Sequence, residues 1–219
     1  YAQQADMPTP VDDMVVVPYQ NRFIYLVSGW HDEGNVSVVQ LFDTQTGAWT
    51  EATPFPGTPV FGHAGGIAGD SMIISDGVAS VFAEGKRKFV AAKLSWRGDI
   101  DPKNPTQIAW RSVDSHAGSA RYRMAAVGDN AGKRIIFAGG GDNPYNYDGI
   151  GYDGVPAKPS GGFFAYDLKT DRWQELGRLA APSMDHRALG KVGQEYYIVG
   201  GMDAEQNVTD RITRFRAGP

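Results

Sequence analysis

The sequence predicts an all-β chain built from four successive copies of one four-stranded unit. Short apolar runs end in paired small residues at Leu26-Val27-Ser28-Gly29, Ile73-Ile74-Ser75-Asp76-Gly77, Ile136-Phe137-Ala138-Gly139-Gly140 and Ile198-Val199-Gly200-Gly201. The last glycines of these runs lie 48, 63 and 61 residues apart. A second landmark keeps step with them: Tyr1 stands 48 residues before Trp49, and Trp49, Trp110 and Trp173 are spaced by 61 and 63. No segment sustains the 3.6-residue apolar period of a helix. Glycine, at 28 of 219 residues, and 13 dispersed prolines instead mark many turns between short strands. Four-stranded units repeating at this period are the signature of a β-propeller.

Within each unit, runs rich in β-branched and aromatic residues, bounded by Gly, Asp, Asn or Pro, give the strands. The first unit spans residues 12–51, with strands at 14–18, 23–28, 36–42 and 48–51. The second spans 61–112, with strands at 61–68, 71–75, 88–95 and 108–112. The third spans 121–176, with strands at 122–128, 134–138, 163–168 and 173–176. The fourth, 185–216, supplies only three, at 187–192, 195–199 and 212–216. Residues 1–5 resemble the missing outer strand, because Tyr1 to Pro8 match Trp49 to Pro56 in aromatic start and proline finish. Two arrangements follow. The N-terminal strand closes a four-bladed ring on the last blade, or the four blades are part of a larger propeller of about six. Either way, 1–219 reads as one domain. The tryptophans at 49, 110 and 173 share one outer-strand position and are expected in the core.

Composition narrows the function. The net charge is −4 and basic residues cluster only at Lys86-Arg87-Lys88, so no electropositive stripe for nucleic acid is present. No apolar run approaches the ~18 residues of a membrane span. The absence of cysteine removes disulfides, thiolate metal ligands and cysteine nucleophiles.

Phe42-Asp43 before Trp49 and Tyr166-Asp167 before Trp173, each following a small-residue doublet, resemble the kelch motif; the second unit departs from it, with Leu94-Ser95-Trp96 and Asp76-Gly77. Segments 7–13, 59–66, 122–126 and 184–187 are similar to bacterial galactose-oxidase-like kelch proteins and, more loosely, to the N-acetylneuraminate epimerases, which are sialic acid mutarotases. The resemblance implies a propeller of about six blades and a periplasmic or secreted location. It assigns no catalytic residue here. The copper-radical cofactor of galactose oxidase requires a cysteine joined to tyrosine, so a chain without cysteine is not expected to form it, and no cofactor is expected at all.

Aligning the innermost strands by sequence puts Asp13, His63, Arg123 and Arg187 at one position and Asp12, Gly62, Tyr122 and His186 just before it. This places carboxylates, imidazoles, guanidiniums and a phenol at one mouth of the central channel. The alternative is a structural set of Arg–Asp pairs between blades. A second candidate is the long 141–161 loop, where Asn143, Tyr145, Tyr147 and Tyr152 alternate with Asp142, Asp148 and Asp153; tyrosine rings stack on sugars while amides and carboxylates bond hydroxyls. The three aspartates do not have EF-hand spacing, and no metal site is expected. Trp30 and His31, after the second strand, are expected on the same face. The functional readings are a protein recognising an acidic or amino sugar or glycan, or a non-catalytic module binding a protein or glycan through its loop face. In the first, mutarotation would use His63, His186 and Asp13 as acid and base, with Arg123 or Arg187 on a carboxylate.

Overall fold

The computed structural model describes residues 3–218 and is all-β: four small antiparallel sheets arranged as the blades of a propeller. Blade 1 contains β1 (Val15–Tyr19), β2 (Phe23–Val27), the short hairpin β3 (Trp30–His31) and β4 (Gly34–Asn35), then β5 (Val39–Asp43) and β6 (Ala48–Glu51). Blade 2 contains β7 (Ala64–Ala68), β8 (Ser71–Ser75), β9 (Val78–Ala83), β10 (Lys86–Ala91), β11 (Ser95–Ile100) and β12 (Ile108–Ser112). Blade 3 contains β13 (Ala125–Asp129), β14 (Arg134–Ala138), β15 (Ser160–Asp167) and β16 (Arg172–Ser183). Blade 4 contains β17 (Gly190–Val192), β18 (Glu195–Val199) and β19 (Ile212–Phe215). The four-stranded sheets run in order β1-β2-β5-β6, β7-β8-β11-β12 and β13-β14-β15-β16.

One strand expectation fails. Residues 88–95 are not the third strand of blade 2; that strand is β11, which pairs with β8 from Ser95 opposite Ser75 to Asp99 opposite Ser71. Instead β9 and β10 form a separate hairpin closed by Glu84 and Gly85, both left-handed at φ 56° and 72°. Such a two-residue turn with both positions at positive φ matches the twist of the strands it joins. The charges of Lys86, Arg87 and Lys88 stay in water because the hairpin leaves the blade.

The glycine doublets follow from backbone geometry. In every blade two consecutive residues after the second strand are left-handed: Ser28 and Gly29, Asp76 and Gly77, Gly139 and Gly140, Gly200 and Gly201. The first accepts Ser or Asp; the second must lack a Cβ. A Cβ at Gly29, Gly77, Gly140 or Gly201 would lie 2.8–3.1 Å from the carbonyl oxygen of Asp12, Phe61, Tyr122 or Met184. It would also strike the side chain of Met14, His63, Met124 or His186.

Those four carbonyls belong to residues in isolated bridges with Trp30, Val78, Gly141 and Met202, so they are structurally equivalent. The residue after each is left-handed in all four blades: Asp13 (φ 52°), Gly62 (60°), Arg123 (53°) and Asp185 (65°). This corrects the sequence alignment, which is off by one in blade 2 and by two in blade 4. His63 and His186 stand level with Met14 and Met124, and Arg187 stands two residues beyond Arg123's equivalent. The kink also delays each first strand, so β7, β13 and β17 begin at Ala64, Ala125 and Gly190 rather than at 61, 122 and 187.

Main-chain hydrogen bonds link the kinks from blade to blade. Gly62 N donates to Asp13 O (2.7 Å), Arg123 N to Gly62 O (2.8 Å) and His186 N to Arg123 O (3.0 Å). Apolar clusters fill the spaces behind them: Val15, Tyr25, Val39, Met72 and Ile74 between blades 1 and 2; Ile73, Met124, Ile135 and Phe137 between 2 and 3; Ile136, Phe163, Leu179 and Ile198 between 3 and 4.

The repeated tryptophans are half-buried rather than fully in the core, and they act as latches. Trp49 Nε1 donates to Ala5 O, Trp110 to Thr53 O and Trp173 to Asp114 O. Each acceptor lies four residues along the sequence from the aromatic residue that opens the preceding repeat. The expected pairing of residues 1–5 with blade 4 falls partly on Tyr1 and Ala2, which lie outside the described residues; Ala5 O accepts from Trp49 of blade 1. Blade 4 is a three-stranded sheet with Val192, Val199 and Ile212 each more than 60% exposed.

The two doublet positions should respond differently to substitution. Gly201→Ala, with a Cβ 2.3 Å from His186 Cε1 and 2.8 Å from Met184 O, is expected to cost more than ~3 kcal/mol in urea unfolding. Gly200→Asn, whose nearest neighbour would be Thr209 O at 3.3 Å, is expected to cost under ~1 kcal/mol. Equal losses would refute this account of the doublet.

Candidate functional site

The kinks bring three of the four aligned residues together. Asp13 Oδ2 accepts from Arg123 Nε (2.9 Å) and Nη2 (2.8 Å) and from the Tyr122 hydroxyl (3.0 Å). Arg123 Nη1 donates to Asn146 O (2.8 Å) and Asp185 Oδ1 (3.0 Å). Arg187 reaches both carboxylates, Nε to Asp13 Oδ1 at 3.2 Å and Nη1 to Asp185 Oδ1 at 3.4 Å. Two guanidiniums and two carboxylates therefore balance. The Arg123 guanidinium also lies over the Tyr122 ring (4.6 Å) and near that of Tyr145 (5.3 Å).

Burial opposes the charge of Arg123, but Tyr122, Asp13 and Asp185 more than offset it, and its pKa is raised. Burial, with Asp13 beside it, drives the Tyr122 phenol far above the usual tyrosine range. Every Arg123 nitrogen is engaged within the protein, leaving it no free donor pair for a ligand carboxylate. Arg187 is different: half its side chain is exposed, and it borders a cavity of about 480 Å³ along the axis, walled by β1 and the first strands of blades 2 and 3.

His63 and His186 lie behind this cluster. His63 Nε2 bonds Val27 O at 2.9 Å, and both rings are about 5% exposed. Burial lowers the pKa of each to about 4, so both are neutral near pH 7.

A second cavity, of about 300 Å³, opens beside Asp13 and Arg123, with Asp12, Trp30, Phe61, Phe89, Asn146 and Tyr152 completing its lining. Its wall is aromatic. Trp30 meets Phe61 and Phe89 with ring centroids 5.7 Å apart in each pair, and Phe89 meets Tyr152 at 4.2 Å. Phe89 comes from the β9–β10 hairpin and Tyr152 from the 141–159 loop, so the two departures from the minimal repeat meet over the cluster. Asp12, exposed, has its main chain paired with Trp30, while its carboxylate makes no hydrogen bond or ion pair among the described residues.

The remaining expected residues divide. Tyr145 is fully buried against Tyr122, with ring centroids 5.2 Å apart, and its hydroxyl has no partner. Tyr147 is 78% exposed and clear of the cavity. Asn143 braces the loop through Asp153 Oδ1 and Val155 O. His31 is turned away to Pro10 O (2.6 Å) and Asp32. Sequence reasoning missed Phe61, Phe89 and Asn146. For Phe89 the usable signal was the Glu84-Gly85 turn between two alternating runs.

No family model matches the chain, and no curated protein matches it. Among solved structures it is similar to one described as "Structure of YjhT", with a TM-score of 0.72 and 15% identity over 94% of this chain. The chain spans 66% of the length of that protein, and the likeness shows the propeller fold.

Two outcomes are expected from the buried groups. Because the folded pKa of His186 lies below the ~6.5 of an unfolded histidine, its neutral ring contributes stability that is full above pH 6.5 and lost as pH falls toward 4. His186→Met, matching Met14 and Met124, should reduce the stability lost between pH 7 and 4 by up to about 3 kcal/mol in urea melts; an unchanged pH profile would count against it. Arg123→Ala, which removes the buried partner of Asp13 and leaves it the Tyr122 hydroxyl and the half-exposed Arg187, should cost about 3–5 kcal/mol at pH 7, and a loss below 1 would contradict a buried pair.

Proposed function

We propose that this kelch-type propeller is a carbohydrate-binding protein and that its ligand is an amino sugar seated in the Trp30–Phe61–Phe89–Tyr152 cavity. The observation that carries the reading is an aromatic wall, whose Trp30 ring also carries the Arg87 guanidinium at 5.3 Å, in one cavity with a carboxylate, Asp12, that forms no ion pair among the described residues. The flat faces of aromatic rings take the C–H face of a sugar, and a cation beside them gains from both the rings and the carboxylate. Asn146, exposed at the rim, offers an amide to hydroxyl groups. The volume is at the small end of ligand sites and suits a single ring. An acidic sugar fits less well, since Arg123 is committed to Asp13 and Asp185.

Binding without turnover is the reading favoured. Mutarotation requires a base at the anomeric hydroxyl and an acid at the ring oxygen. The imidazoles of His63 and His186 do not line this cavity, and Asp13 is held by Arg123, Tyr122 and Arg187.

Titrations with glucosamine, glucose and glucuronate, followed by tryptophan fluorescence, test this. Glucosamine is expected to bind most tightly. Phe89→Ala, a half-exposed position, should fold normally and weaken binding about tenfold. Asp12→Asn should weaken glucosamine but leave glucose unchanged. Equal affinities of wild type and Phe89→Ala for all three sugars would refute the site.

A further inference from the structure

A separate cavity of about 250 Å³ lies between the connector from blade 2 and the outer strand of blade 3. His116, Arg121, Phe164, Trp173, Glu175 and Arg178 border it. The Arg121 guanidinium is packed over the Phe164 ring at 5.1 Å. Its Nη1 donates to the carbonyls of Gly139 (3.2 Å) and Gly162 (3.3 Å), which anchor it without neutralising it. Among the described residues neither Arg121 nor Arg178 forms an ion pair with a carboxylate.

Of the nearby carboxylates, Asp76 is bonded through one oxygen only, its Oδ1 being buried without a partner. Asp76 Oδ2 is taken by His116 Nε2 (2.6 Å) and by the Arg121 amide (2.8 Å). The other nitrogen of His116 is bound to Ala117 O (2.6 Å), so the imidazole presents no free group to the cavity. Glu175 is exposed and makes no hydrogen bond to either arginine. Two guanidiniums thus converge on one space, and among the described residues neither is paired with a carboxylate, although Asp76 and Glu175 lie near enough to act on Arg121. Removing a guanidinium from water without a partner is costly, and a bound anion would offset that cost. Burial lowers the pKa of Arg121, and the charge of Arg178 adds to the lowering, while Asp76 and Glu175 act in the opposite direction.

We propose that this cavity is a binding site for a small oxyanion, of carboxylate or phosphate type, held between Arg121 and Arg178. The remaining N–H groups of Arg121 match the paired oxygens of such a group, and Arg178 closes over it from the rim. The site shares no lining residue with the aromatic cavity.

The test is a thermal-shift titration with inorganic phosphate and, separately, acetate, each against sodium chloride at equal ionic strength. At tenfold excess over Kd, at least one oxyanion is expected to raise Tm by about 3–5 °C above the chloride control. Which of the two does so identifies the anion type. Arg178→Gln, at an exposed position, should melt as wild type in chloride and lose the shift. Phe89→Ala should keep it, which separates this site from the sugar cavity. A shift no larger than that of chloride, or one retained by Arg178→Gln, would overturn the proposal.

Discussion

The architecture depends on one constraint: each blade must begin with a residue in the left-handed conformation. That single kink turns a carbonyl toward the following blade, where the next kinked segment donates to it, from Asp13 through Gly62 and Arg123 to His186. It also brings the preceding carbonyl so close to the second doublet residue that only glycine fits there. Two features that look unrelated in the sequence, the glycine doublets and the polar residues before the first strands, are therefore two sides of one contact. Non-glycine residues at positive φ carry local strain, and here the surrounding hydrogen bonds hold three of them in place.

The polar residues at the kinks then serve two ends. Asp13, Arg123, Asp185 and Arg187 gather at one end of the axis as a balanced set, in which the buried charges of Asp13 and Arg123 require partners. Balance of this kind leaves little for a ligand. The site proposed here accordingly lies outward, at Asp12 and at aromatic side chains partly carried by insertions. The scaffold supplies rigidity, and Phe89 and Tyr152, on elements outside the repeat, supply the lining.

Much of this was legible. The doublets, the tryptophan step and the four-unit plan could be read directly because they report backbone geometry and packing that every blade shares. The register of the first strands could not be. Asp, Gly and Arg all occupy the same kink, so residue type gave no guide to equivalence, and the two histidines drew the alignment toward chemistry. Their true equivalents are Met14 and Met124, which reveals an interior position. Residues 88–95 read as a blade strand because Phe89 and Val90 have strand character; only the pairing of β10 with β9 distinguishes a hairpin from a blade. Of the expected site residues, Asp12, Asp13, Trp30, Arg123 and Tyr152 border the aromatic cavity, whereas Tyr122 supports it from behind.

The indole latches carry a consequence for assembly. Each outer-strand tryptophan grips a carbonyl that belongs, by sequence, to the linker from the unit before it. The cooperative module is accordingly staggered against the sequence repeat by several residues, and no module is self-sufficient. In such nearest-neighbour arrays order spreads by propagation from an already folded neighbour. Domain boundaries chosen at the repeat edges would sever these grips, whereas boundaries set just ahead of the gripped carbonyls would preserve them.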